Sequence, residues 1–215
     1  METAERYINK GEWLSVALKR QGYPLIPSNV IIDKTVTGLG ITHMEVHSPR
    51  PSIIIEPNVP VIIGKAEGKA NRLAVYELCT KPMIREFLQR KDLKHKKLIT
   101  TPEGFKKIKE VAEALGIDIF KEYFCLFDEC EKIIQDVDYR SRIAQPINDF
   151  FEFEGKAMVS ATPLEMRHPK LKEQNFRKLK IIPLYDYRKD MTLIPTRSFD
   201  RTVKEQLRRL LQTSP

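Results

Sequence analysis

The sequence predicts an α/β protein built on a mostly parallel sheet flanked on both faces by helices, and three observations point to it. Short apolar runs rich in β-branched or aromatic residues stand at residues 30–32, 53–55 and 124–127, the pattern of strands buried on both faces. Each run is followed by a turn or helix signal. Amphipathic or irregular stretches separate the runs, and strand-helix alternation of this kind folds into a parallel sheet covered by its crossover helices.

The elements follow in order. Ahead of the first strand, residues 5–20 carry Trp13, Leu14, Ala17 and Leu18 on one side of a helix, expected to pack outside the sheet. A fourth strand at Leu98 and Ile99 runs into Thr100-Thr101-Pro102-Glu103. A threonine there can cap a helix, Pro102 suits its first turn, and Glu103 completes a capping box with Thr100. Phe105, Ile108, Val111, Ala112 and Leu115 then recur at helical spacing, and Gly116 supplies the left-handed stop. Further strands are expected at residues 157–160, 179–183 and 191–194. A last helix begins near Ser198, with Val203, Leu207, Leu210 and Leu211 as an apolar stripe that needs a surface to cover.

With 215 residues, 41% hydrophobic and 31% charged, the chain suits one large globular domain. No apolar run approaches the roughly 20 residues of a membrane span. The N-terminal Met1-Glu2-Thr3-Ala4-Glu5 is acidic early and lacks the apolar core of a secretory signal, so a cytoplasmic, intracellular protein without a membrane partner is expected. Cys79, Cys125 and Cys130 are too few and too irregular for a disulfide framework or a four-cysteine zinc site, and reduced thiols are expected. A formal charge of +8 favours a polyanionic partner, since clustered Lys and Arg release counterions from phosphates. Charge alone does not single out nucleic acid, because many basic proteins carry a solvated surface. The densest basic cluster, residues 90–97, reads equally as a solvated loop or a phosphate contact.

Three strand ends carry chemistry. The first strand enters Lys34-Thr35-Val36-Thr37-Gly38-Leu39-Gly40-Ile41-Thr42, a glycine-containing turn that ends in a hydroxyl residue at a helix start. Glycines there let backbone N–H groups converge on a polyphosphate, and a helix N-terminus favours anions. Such glycines serve turn geometry more often than they serve phosphate. The run at 124–127 delivers Asp128 and Glu129 at its C-terminal end, where open parallel sheets bind ligands. An ordinary acidic surface loop is the alternative. The strand at 157–160 exits through Ser160-Ala161-Thr162-Pro163.

Taken in order, these segments resemble the superfamily 2 (DEAD/DEAH-type) helicases. Gly38-Leu39-Gly40-Ile41-Thr42 resembles motif I, Asp128-Glu129-Cys130-Glu131 motif II, and Ser160-Ala161-Thr162 motif III. Glu56-Pro57-Asn58 stands where motif Ia would, and Thr101-Pro102-Glu103-Gly104 resembles motif Ib. The resemblance covers residues 30–196 and implies the first RecA-like domain, a three-layer P-loop NTPase fold. On either side, the residue pattern gives a helical N-terminal extension over residues 1–29 and a C-terminal helix over 197–215, which by the resemblance could lead into a second RecA-like domain. By the same resemblance, ATP and Mg²⁺ are the cofactors, with Thr37, Gly38, Gly40 and Thr42 at the nucleotide. Asp128 and Thr42 would hold the metal and Glu129 would act as catalytic base. Ser160 and Thr162 would couple nucleotide to strand, and Gln21 would read adenine. Pro57, Asn58, Thr101 and Gly104 would touch the phosphates of DNA or RNA, a mode that does not read sequence.

The chain departs from that family at Ile41, where motif I has a lysine that contacts the β and γ phosphates. Lys34, just upstream, is a candidate substitute, with a solvated strand-end lysine as the alternative. The last position of motif II is Glu131, and no arginine-rich motif follows Thr196. Three functions stay open on this sequence. They are an ATP-dependent nucleic-acid motor that needs a second domain, a hydrolysis-deficient scaffold that binds nucleic acid or protein, and a phosphate-binding enzyme of another α/β family.

Overall fold

Alternate residues of the central strands divide between two apolar cores. Ile31, Ile53, Ile55, Leu98, Phe127 and Met158 belong to one, and Val30, Ile32, Ile54, Ile99, Leu126 and Val159 to the other. That period of two, with both faces covered, is why these strands read as unbroken apolar runs. The computed structural model describes residues 1–130, 144–161, 168–187 and 195–213. Two compact units divide the chain, Met1–Tyr185 and Asp186–Pro215.

Among its described residues the first unit holds eight strands: β1 (Thr3–Ile8), β2 (Val30–Asp33), β3 (Ser52–Ile55), β4 (Arg72–Val75), β5 (Lys97–Thr100), β6 (Phe124–Phe127), β7 (Gly155–Ser160) and β8 (Arg177–Pro183). They form one sheet in the order β1-β8-β2-β7-β6-β3-β5-β4, and every pairing is parallel. Between them lie α1 (Leu14–Arg20), α2 (Ile41–Val46), α3 (Val59–Ala66), α4 (Lys81–Gln89), α5 (Pro102–Ala114), α6 (Ile119–Glu122), α7 (Ala144–Phe150) and α8 (Pro169–Glu173). From β1 to β4 the chain moves toward one edge, and α1, α2 and α3 contribute Leu14, Met44 and Ile62 to one core. At β4 it turns back, and α4, α5, α7 and α8 contribute Ile84, Phe105, Phe150 and Leu171 to the other. A right-handed crossover puts its helix on one face when the winding advances and on the opposite face when it reverses. The three-layer α/β class expected from the sequence is therefore observed, with a sheet parallel throughout.

Two local expectations are corrected. Residues 5–20 are not one helix: Thr3–Ile8 is the edge strand β1, and only Leu14–Arg20 is helical. Ala4, Arg6 and Ile8 face inward in alternation, a period of two that wins over the helical stripe, and Gly11 at φ +75° separates the two elements. At α5 the cap is Thr101, whose Oγ1 accepts from Gly104 N at 3.0 Å, whereas Thr100 Oγ1 donates to Val75 O at 2.9 Å. Glu103 therefore has no capping-box partner in Thr100. Gly116 does end α5 in the left-handed region, at φ +69°. The strand expected at 191–194 lies outside the described residues. In the second unit, α9 (Phe199–Thr213) exposes Phe199, Val203 and Leu207. All three cysteines are buried and none is in a disulfide, and no described helix is long and apolar enough to cross a membrane.

The basic cluster at residues 90–97 is not uniformly solvated, because Lys97 is fully buried. Its Nζ donates to Glu45 O at 2.8 Å, Ser48 Oγ at 2.8 Å, Arg50 O at 2.7 Å and Ser52 Oγ at 3.0 Å. The Glu45 carboxylate, also fully buried, accepts from Ser48, Ser52 and the Arg50 guanidinium. Burial lowers the Lys97 pKa to about 8 against the opposing pull of Glu45. This network fixes the C-terminal end of α2 to the starts of β3 and β5. Breaking a buried charged pair from one side costs about 3–5 kcal/mol, so Lys97→Met is expected to lower the unfolding free energy by that amount in a urea titration.

Candidate functional site

Because every strand runs the same way, every strand's C-terminal end lies on one edge of the sheet. The helices that follow β2 and β3 go to one face, while the chain after β6 and β7 goes to the other. Adjacent loops that diverge in this way open a crevice, the usual ligand position in open α/β sheets. Here β6 and β7 stand between β2 and β3, so Asp128, Glu129 and Ser160 occupy the crevice with the loop at 34–40 on one side and residues 56–58 on the other. β6 is also short. Its last paired residue, Phe127, faces Met158, whereas β2 and β7 continue to Asp33 and Ser160. β6 thus ends two residues short, which leaves Asp128 level with Val159, one residue or roughly 3 Å below the ends of β2 and β7.

Three predicted residues meet in that recess, across the end of β7. Thr42 Oγ1 donates to Asp128 Oδ2 in a short hydrogen bond, and Lys34 Nζ lies 3.4 Å from Asp128 Oδ1. Glu129 N donates to the same Oδ1 at 3.0 Å. Asp128 and Lys34 are 2% and 7% exposed, so Lys34 is not the solvated strand-end lysine weighed as its alternative. Lys34 N also donates to Ser160 O at 2.9 Å, which locks the start of the loop to the end of β7. Ile41, by contrast, is 2% exposed and packs with Leu14, Leu39 and Val46 in the core of that face. The position where the resemblance leads one to expect a lysine is thus buried in the protein.

The loop between β2 and α2 exposes Thr37 and Gly38 at its crest. Gly38 and Gly40 have φ of +76° and +80°, and Gly40 stands at the N-cap of α2. A Cβ on Gly40 would lie 2.6 Å from Trp13 Cε3, so glycine is needed for both backbone and space. Thr35 also sits in the left-handed region, at φ +57°, which is costly for a β-branched residue. It is held by Asp33 Oδ1, which accepts from Thr35 N at 3.3 Å, and by its own hydroxyl, which donates to Ile181 O at 2.7 Å. Thr35 precedes Gly40 by five residues, the spacing of the first glycine in a phosphate loop. That spacing was available in the sequence as a second signal. Asp33 was missed altogether, being the last residue of an apolar strand; its Oδ2 pairs with Lys178 at 2.9 Å.

On the other side of the crevice, Glu56 is 2% exposed and pairs with Lys65 at 3.1 Å. Burial raises its pKa, and Asp128 and Glu129 add to the rise while Lys65 opposes it. Asn58 Nδ2 donates to Glu129 Oε2 at 3.3 Å, and Pro57 is half-buried beside it. Thr101 and Gly104 lie at the end of β5, where they form the α5 cap. A Cβ on Gly104 would meet Val75 O at 2.4 Å, so this glycine lets α5 approach the sheet. The Gln21 amide clasps β1, donating to Tyr7 O at 2.8 Å and accepting from Tyr7 N at 3.1 Å. Thr162 lies outside the described residues.

No family model matches the chain, and no curated protein matches it. Among solved structures, it is similar to the crystal structure of the Pyrococcus furiosus Hef helicase domain, with a TM-score of 0.47 and 14% identity. That match covers 86% of this chain and 43% of the other, so the chain spans less than half the length of that structure. No residue role is carried over from it.

The raised pKa of Glu56 has a stability consequence. A carboxyl whose folded pKa exceeds its unfolded value favours folding when protonated, and that contribution is lost as pH rises through the folded pKa. Glu56→Gln is expected to melt above wild type at pH 7.5, with the gap closing as pH falls toward 4, measured by thermal unfolding across that range.

Proposed function

We propose that the chain is an ATP-binding, helicase-like module that acts on nucleic acid and works with a second RecA-like domain in cis or in trans. The observation that supports it most is the convergence of Lys34, Thr42 and Asp128 in one recess beside a left-handed glycine loop. A helix-starting hydroxyl on one oxygen of a strand-end carboxylate, with a buried ammonium on the other, has little structural purpose at a sheet edge. It suits a triphosphate. The loop N–H groups at Gly38 and Gly40 would receive phosphate oxygens, with Thr37 at the crest. Lys34 would supply from the strand end the positive charge that position 41 does not carry.

The Thr42 hydroxyl and the Asp128 carboxylate are hard oxygen donors, few in number, as suits a magnesium ion held mainly by phosphates and water. Among the described residues no group of three or more His, Cys, Asp or Glu could hold a metal alone. Magnesium bound there would offset phosphate charge as the terminal phosphate leaves. On loading, Lys34 would turn from Asp128 to phosphate, and Glu129 would orient the attacking water. Ser160 and Thr162 would transmit nucleotide state, and Pro57, Asn58, Thr101 and Gly104 would line the path of the strand.

A second reading, a scaffold that binds nucleotide or strand without hydrolysis, is favoured by the burial of Ile41. The two part on turnover and share the nucleotide site. A charge-assisted contact contributes about 1.5–3 kcal/mol, or about 10- to 150-fold in affinity. Calorimetric titration with a non-hydrolysable ATP analogue is expected to show magnesium-dependent binding in wild type and a loss of at least about tenfold in Lys34→Ala. Absence of binding in wild type, or full affinity in Lys34→Ala, would count against the site.

A further inference from the structure

Asn58 stands at the N-cap of α3, where an asparagine side chain ordinarily turns back to accept from first-turn N–H groups. It makes no such bond. The amide is turned instead across the sheet edge, and Nδ2 donates to Glu129 Oε2. The sheet register allows this. Ile55 and Phe127 are partners in adjacent strands, so Asn58, three residues beyond one, and Glu129, two beyond the other, emerge side by side. Glu129 is itself at φ +49°, a conformation that a glutamate holds only where its surroundings enforce it. Both residues are half-buried, within reach of solvent and of a ligand in the crevice.

We propose that Asn58 is a positioning residue for Glu129, and that a nucleic-acid phosphate arriving at the loop after β3 competes with the carboxylate for the same amide. With no strand bound, the Asn58 donor holds Glu129 toward β3. A strand phosphate is a second anionic acceptor, and the amide that turns to it releases this restraint on Glu129, which can then swing toward a water at the nucleotide. The inference rests on the nucleotide and strand reading given above and adds a mechanism for strand-dependent activation. It also gives Asn58 a reason to leave its own helix uncapped.

Coupling of this kind is reciprocal, so removing the carboxylate should favour the strand-bound state. The test is fluorescence anisotropy with a labelled single-stranded oligothymidylate, and in parallel an oligouridylate, at fixed ionic strength on the full chain. Glu129→Ala is expected to bind the strand about threefold to tenfold more tightly than wild type, the range of one ordinary net hydrogen bond, as suits a half-buried contact of 3.3 Å. Glu129→Gln loses the charge but keeps a carbonyl acceptor for Asn58, and should stay nearer to wild type. In the Asn58→Ala background the gain from Glu129→Ala should disappear. Equal gains in the Ala and Gln variants would assign the effect to charge, and a gain that persists without Asn58 would assign it elsewhere. Either result overturns the exchange, as does an unchanged affinity in Glu129→Ala. Wild type that binds neither oligonucleotide at low salt would remove the strand reading as well, so the two failures are distinguishable. Thermal melts of each variant check that the comparison is between folded proteins.

Discussion

The handedness of strand-helix-strand crossovers is the constraint on which the rest of this molecule depends. Winding out to β4 with helices on one face, and then back with helices on the other, forces the loops after β2 and β6 to part. The parting creates the crevice, and the short β6 deepens it by recessing Asp128. Lys34 and Thr42 then reach one carboxylate from the far side of an intervening strand. None of the three is adjacent to another in sequence, and no local propensity would bring them together.

Several of the buried polar groups have assignable work. Lys97 and Glu45 pin the rear of α2, and Gly40 under the Trp13 ring sets its front, so the helix that carries Thr42 is fixed at both ends. Leu14 N donating to Leu39 O ties the same loop to α1. The strained Thr35 is paid for by contacts to β2 and β8. A loop with this much support can be held open in the absence of a ligand, which reduces the ordering cost on binding.

Much of the architecture was legible because strands buried on both faces announce themselves as apolar runs, as at Ile53-Ile54-Ile55 and Phe124-Cys125-Leu126-Phe127. The two strands that were missed sit at the sheet edges. β1 alternates with charged residues, and β4, Arg72–Val75, is half-exposed and too short to stand out. Position along the chain also singled out Asp128, Glu129 and Thr42, since each follows an apolar run or begins a helix. What spacing could not reveal was partnership. That Asn58 would face Glu129 and that Lys34 would be buried are facts of register and strand length, and the buried Asp33 and Glu56 look like any strand-end acids until their neighbours are known.

Ile41 carries a consequence for how this protein can change. Its side chain belongs to the same apolar cluster that holds α1 and α2 on the sheet, so a lysine there would have to drag an ammonium through packed hydrocarbon before reaching any ligand. A buried charge and hydrophobic cohesion cannot share one residue, and here cohesion has it. A lysine introduced there would need compensating substitutions in α1, because Leu14, Ala17 and Leu18 belong to the same cluster.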